Sequence, residues 1–170
     1  MPFYYPNWNN DFWRVMGLLF FNEKNYFAIP GQKRFDQKEI EDFCREQGIA
    51  LYDTACEVRR LKDNASDKFL EVVTPTDIPA LIARIPKCKT LVTTGQKATD
   101  VIVESFGCAE PPVSGHVEIM IGDSAASPQI ASRKLTFWRM PSTSRAYPLA
   151  LEQKTAIYGR LWQLEEQMAH

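Results

Sequence analysis

The stretch Thr90-Leu91-Val92-Thr93-Thr94-Gly95-Gln96-Lys97 decides how the chain folds. Five residues suited to a pleated strand end at a glycine. A helical run, Gln96 to Phe106, begins at once and stops at Gly107. A strand feeding straight into a helix is half of a crossover unit, which builds sheets with parallel neighbours. Upstream, Thr76 opens another helix, with Pro79 tolerated in its first turn and Leu81, Ile82 and Ile85 facing inward. Downstream, His116 to Ile121 alternates weakly and meets Gly122-Asp123, a hairpin signal. Leu135 to Met140 predicts a further core strand, ended by Pro141.

Further out, Ser144 or Pro148 starts a long C-terminal helix carrying Leu149, Ile157, Leu161, Trp162 and Leu164. Toward the N-terminus, Ile49 to Tyr52 predicts a short buried strand. Asp36 to Gly48 predicts a helix with Ile40 and Phe43 as its inner stripe. Asn9-Asn10-Asp11 supplies caps for a first helix through Phe12, Trp13, Val15, Met16 and Leu19. Asn22 to Arg34 predicts a loop, and Glu57 to Lys68 is polar with no period. The alternation predicts one α/β domain over residues 1–170, with a short, mostly parallel sheet and helices on both faces. In such sheets ligands gather beyond the carboxyl ends of the strands. Three segments fall there, Asp53 to Lys68, Thr94 to Thr99 and Pro141 to Tyr147, with the aromatic N-terminal segment as a fourth wall.

Composition narrows the function. The chain has 170 residues, 45% of them hydrophobic, enough for a substantial core and too many for a disordered acidic tail. A net charge of -1 excludes nucleic-acid binding by bulk charge alone. The most apolar run, Val15 to Phe21, is far shorter than the roughly 18 residues of a membrane span. Met1 to Tyr5 lacks the basic start and apolar run of a signal peptide, so the expectation is a cytoplasmic protein with no membrane partner. Cys44, Cys56, Cys88 and Cys108 form no Cys-x-x-Cys, and His116 and His170 are isolated. No metal, no cofactor and no Ser-His-Asp chemistry is therefore expected.

The strand ends carry the chemistry. Phe3 to Asn10 interleaves aromatics, asparagines and a proline, and can stack a planar base and read its edge or simply cap the sheet. Arg59 to Asp67 sets three cations beside two carboxylates and an amide, a set that can hold a phosphodiester and orient water, or form a solvated loop. Thr93 to Lys97 offers backbone N–H groups and Lys97 to a phosphate, or is a structural turn; it has no Gly-x-Gly-x-x-Gly or Walker pattern. Pro141 to Tyr147 allows close approach to a nucleic-acid backbone, with Arg145 or Tyr147 as a wedge, or caps a helix through Ser142 or Ser144.

Three pieces together carry a resemblance. Tyr4-Tyr5-Pro6-Asn7-Trp8-Asn9-Asn10-Asp11-Phe12-Trp13-Arg14 is similar to a Tyr-Tyr-x-His-Pro-x-Asn-x-Phe-Trp segment. Gly48 to Asp53 is similar to a second strand and its loop, and Met140-Pro141-Ser142-Thr143-Ser144-Arg145-Ala146 to a Leu-Pro-Ser-Thr-Ser-Pro-Ala loop. In this order, with Gly95-Gln96-Lys97-Ala98 between, the chain resembles the uracil-DNA glycosylase superfamily, in its mismatch-specific and hypoxanthine-excising branches. The resemblance implies a three-layer α/β/α sandwich with a four-stranded parallel sheet. It also implies a monofunctional DNA repair glycosylase that flips uracil, hypoxanthine or a mismatched base and hydrolyses its N-glycosidic bond with water.

Position by position, the resemblance implies that Tyr5 stacks on the base and Asn7 reads it. Asn64 and Asp67 are the catalytic candidates, and Lys97, Ser142, Ser144 and Arg145 contact DNA. Asn7-x-Asn9 departs from the family's His-Pro, which implies a changed base preference. The family's first strand and water-positioning Gly-x-x-Pro-Gly-like loop precede the aromatic segment, whereas this chain starts at Met1. The expectation is a short version with an exposed strand edge or self-association through it, and with reduced hydrolysis. The alternative is a non-catalytic nucleic-acid-binding member of the same fold.

Overall fold

A computed structural model describes residues 4–53, 77–121 and 133–163 in full, and the backbone of 55–60, 70–75 and 164–169. The fold is mixed α/β, with helices α1 (Phe12–Phe21), α2 (Gln37–Gln47), α3 (Ile78–Ala83), α4 (Gln96–Phe106) and α5 (Leu151–Ala169). Its strands are β1 (Ala55–Arg60), β2 (Leu70–Pro75), β3 (Thr90–Thr94), β4 (Gly115–Ile121) and β5 (Arg133–Met140). The chain forms two units. One joins Met1–Tyr52 to Ser142–His170, and the other is Asp53–Pro141.

The second unit holds the sheet, in order β3-β5-β4. Strand β3 runs parallel to β5, with Thr90 opposite Thr136 and Thr94 opposite Met140. Strand β4 runs antiparallel to β5, from Gly115 opposite Arg139 to Ile121 opposite Arg133. The parallel sheet expected from strand–helix alternation is therefore realised in one pair only. The physical reason lies between β4 and β5, where the segment 122–132 carries no helical pattern that could return the chain for a parallel crossover. The Gly122-Asp123 hairpin signal had the right sense, although those two residues lie outside the described ones.

A second sheet pairs β1 with β2 antiparallel, from Ala55 opposite Pro75 to Arg60 opposite Leu70. Strand β1 was not expected, because Glu57 to Lys68 shows no apolar period, and the run Leu70 to Pro75 that forms β2 was given no element. Leu91, Leu135, Phe137, Ile119 and Ile121 pack with Ile78, Ile82 and Ile102 of helices α3 and α4 into the core of this unit. Helix α3 is capped by Asp77, whose carboxylate accepts from the Ala80 N–H at 3.2 Å.

The first unit is helical and rich in aromatics. Trp13 and Phe27 sit edge to face at 5.7 Å, Phe27 and Phe43 at 5.1 Å, and Phe20 meets both Phe43 and Trp162 at 4.9 Å. Helix α2 starts at the expected Asp36, which accepts from the N–H groups of Lys38 and Glu39. It ends at Gly48 in the left-handed region. Ile49 to Tyr52, expected as a buried strand, joins no sheet. Its alternation has another cause: Ile49 and Leu51 line a cavity of about 270 Å³ with Tyr4, Trp13, Ile40 and Cys44, while Tyr52 is exposed. Helix α1 contains a buried glycine with no freedom to change, because a Cβ on Gly17 would stand 2.3 Å from the Glu23 carbonyl oxygen.

Candidate nucleic-acid interface

The aromatic segment and the Ser-Thr-Ser-Arg loop meet in the first unit, and backbone hydrogen bonds fasten them together. Asn10 and Ser144 form an antiparallel bridge. The Asp11 N–H donates to the Thr143 carbonyl at 2.8 Å, and the Arg145 N–H donates to the Asn9 carbonyl at 3.1 Å. The Thr143 hydroxyl donates to Asn10 Oδ1 at 2.8 Å. That same oxygen accepts from the Phe12 N–H at 2.9 Å. Asn10 is thus the side chain that caps α1, which leaves the Asp11 carboxylate for other partners.

Those partners are three cations. Arg14 Nη1 donates to Asp11 Oδ1 at 3.1 Å, Arg145 Nε reaches the same oxygen at 3.3 Å, and Lys154 Nζ reaches Oδ2 at 3.3 Å. Asp11, Arg14 and Lys154 are all buried, Lys154 to 1% exposure. The two buried cations find additional support. Arg14 Nη1 also donates to the Asn10 carbonyl at 3.1 Å, and its guanidinium lies 4.4 Å from the centroid of the Trp8 ring. Lys154 Nζ donates to the Ser144 carbonyl at 3.1 Å. Burial and the neighbouring positive charge of Arg145 lower the pKa of Arg14, against the opposing pull of Asp11. Arg14 Nη2 is buried without a hydrogen-bond partner among the described residues.

The loop is preorganised by its own hydroxyls. Ser142 Oγ accepts from the Ser144 N–H at 3.2 Å, and Ser144 Oγ accepts from the Ala146 N–H at 3.2 Å. Each serine oxygen thereby accepts locally and shapes the turn. Both serines are half-buried, and the Arg145 side chain is half exposed.

Tyr5 sits at φ 53°, a left-handed conformation costly for a bulky residue, and its ring stacks on Phe12 at 4.4 Å and 15°. Asn7 is exposed. Its Oδ1 accepts from the Asn9 N–H at 2.9 Å, so its amide oxygen is committed to the turn. Among the residues expected to touch nucleic acid, Tyr5, Asn7, Ser142, Ser144 and Arg145 thus belong to one unit.

Lys97 belongs to the other unit, exposed on the first turn of α4. The turn that holds it is built as the sequence suggested: Gly95 has φ 95°, and buried Thr99 ties the helix start to the strand. The Thr99 hydroxyl donates to the Gly95 carbonyl at 2.8 Å and lies 2.9 Å from the Thr93 hydroxyl. Asn64 and Asp67 lie outside the described residues.

Sequence reasoning passed over the Asp11 cluster. Asp11 looked like an ordinary helix cap, and nothing local marks Lys154, 143 positions away, as its partner. The one available signal was the i, i+3 spacing of Asp11 and Arg14. Among the described residues there is no group of three metal-ligating side chains and no helix long and apolar enough to cross a membrane. No family model, no curated protein and no solved structure matches the chain.

Proposed function

We propose that the chain is a nucleic-acid-directed glycosylase of the kind its motifs resemble, excising uracil, hypoxanthine or a mismatched base from DNA. The observation that carries this reading is the direct hydrogen bonding between residues 9–11 and the loop 143–145. An aromatic, amide-bearing segment and a hydroxyl- and guanidinium-bearing loop then act together, one on a base and the other on the backbone beside it.

In this reading Tyr5 stacks on the flipped base, and the Asn7 amide N–H donates to a base carbonyl, its oxygen being held by Asn9. Ser142, Ser144 and Arg145 hold phosphate, with Lys97 as a further backbone contact. Asn64 and Asp67 orient the water that attacks the sugar carbon as the base departs. Positive charge develops on the sugar in that step, so no lysine nucleophile is required. The finer architecture, a three-layer sandwich, belongs to this same reading.

A second reading has its own support. The Asp11 carboxylate, the one acid bound into the interface among the described residues, is engaged by three cations. The second reading is a member that binds nucleic acid without hydrolysing it, for which the fastened segment and loop suffice. Single-turnover reactions with labelled oligonucleotides carrying uracil, hypoxanthine or a G·T mismatch, followed by alkali, separate the two. Strand breaks at the altered base support excision. DNA binding without breaks moves the assignment to the second reading, and neither binding nor breaks overturns both.

A further inference from the structure

The sheet of the second unit ends at β4, and the outer edge of that strand is open among the described residues. Hydrogen bonds around β5 show which backbone groups face outward. The Arg139 carbonyl accepts from the Ser114 N–H at 2.7 Å, whereas the Thr136 N–H turns the other way, to the Lys89 carbonyl at 2.9 Å. Odd-numbered residues of β5 therefore bond toward β4. Through the register Val117–Phe137 and Ile119–Leu135, the odd-numbered residues of β4 bond back. The N–H and C=O groups of His116, Glu118 and Met120 then point away from the sheet, with no strand beside them among the described residues.

Edges of this kind are ordinarily guarded by lysine, proline or a cover. From Gly115 to Ile121, β4 contains neither lysine nor proline, and its one acid, Glu118, already bonds to Lys134 of β5 at 2.7 Å. Met120 stands 63% exposed, more than any other large apolar side chain described. The strand is also complementary to itself. Paired antiparallel about Val117, His116 falls opposite Glu118 of a second copy, and Glu118 opposite the second His116. An axis one residue further on sets Glu118 against Glu118, and like charges directly opposite are unfavourable. A two-fold axis at Val117 repeats the good match, which an unrelated strand has no reason to supply.

We propose that β4 pairs antiparallel with β4 of a second copy of this chain, about a two-fold axis at Val117, joining two sheets into one. His116 and Glu118 of each copy exchange backbone hydrogen bonds with Glu118 and His116 of the other, and each imidazole comes beside a carboxylate. The inference goes beyond the excision reading and does not use it. It gives the self-association expected from the sequence a strand, a register and a symmetry.

Sedimentation equilibrium of the full chain, from about 1 μM to about 1 mM, reads the balance of monomer and dimer. Two substitutions at the exposed His116 carry opposite signs. His116→Glu faces Glu118 twice across the axis and should weaken the dimer about tenfold, whereas His116→Lys makes two ion pairs there and should tighten it by about the same factor. Both lose the His116 ring contact with Trp138 at 4.5 Å, so damage to the fold moves them in one direction. Hydrogen exchange gives a second readout. The His116 and Glu118 amides should slow as concentration rises, and the Val117 and Ile119 amides, already bonded to β5, should not change. A monomer throughout overturns the proposal, whether β4 then takes a strand of another protein or none. So does a dimer that both substitutions shift alike or leave unshifted, or one whose His116 and Glu118 amides exchange at a rate independent of concentration. No nucleic acid enters these measurements, so their failure leaves the excision reading standing, and failure of strand cleavage leaves the dimer standing.

Discussion

Each unit carries a polar cluster at the start of a helix, and the two are balanced in opposite ways. In the second unit, Arg139 beside the start of α4 donates to Gln96 Oε1 and to the Pro111 carbonyl, and Glu110 stands 3.6 Å from it. Gln96 in turn donates to Asp100 at 2.7 Å and to Glu110 at 2.6 Å. One cation faces two acids, and Glu110 and Gln96 are open to water. In the first unit three cations face one buried acid. Charge that is matched and wet fastens a turn, whereas the first unit keeps Asp11, Arg14 and Lys154 buried and only Arg145 half exposed. That difference, rather than the number of charged residues, separates a structural cluster from a candidate site.

The largest expected effect comes from removing the one acid. Asp11→Asn strands three cations and should cost about 3–5 kcal/mol in urea unfolding monitored by tryptophan fluorescence. A cost under about 1 kcal/mol would mean that the cluster is already screened, and the contrast between the units would fall. Next is the neutral pair of the second unit. Thr99→Val removes the hydroxyl shared by Thr93 and the Gly95 carbonyl and should cost about 1–3 kcal/mol.

Alkali titrates a buried phenol of the first unit. Burial holds the Tyr158 phenol well above the usual tyrosine range, and Tyr5 and Tyr147 add to the effect. Below that range folded and unfolded chains both keep the proton. Above it the unfolded chain ionises first, so stability falls as pH rises until the folded phenol also titrates. Tyr158→Phe should flatten that alkaline decline in stability, and a decline of unchanged slope would assign it to other groups. The smallest change is expected from Glu110→Gln, under about 1 kcal/mol, as for any exposed ion pair.

Legibility followed the range of the interactions. Helix α2 was readable from Asp36 to Gly48 because both caps are local. The β3-Gly95-α4 unit was readable because its glycine and its β-branched run are adjacent. The antiparallel β4–β5 pairing was half readable, since a turn signal was present while strand alternation argued for crossovers. Ile49 to Leu51 misled because a short continuous apolar run suits a cavity wall as well as a buried strand. β1 was not legible, lacking an apolar period, whereas the Val72-Val73-Thr74 run of β2 carried a strand signal that was passed over. The shared placement of the Tyr5 segment and the Ser142–Arg145 loop followed from motif likeness rather than from periodicity. The charge imbalance could not be read at all, since it depends on a lysine brought from a distant helix.

The split of the first unit across the chain sets an order of events during synthesis. Residues 53–141 leave the ribosome as one continuous unit and can fold as soon as they emerge. Helix α1 is made earlier, yet the hydrogen bonds that join it to the loop span 133 residues, and its lysine lies 143 residues away. Until α5 arrives, Phe12 and Phe20 lack Tyr158 and Trp162, which they meet edge to face in the finished protein. The segment made first is thus completed last, and the nascent chain carries an apolar aromatic helix through most of its translation. A ribosome stalled before α5 would therefore present a finished sheet beside an unfinished helix, a state suited to capture by a chaperone.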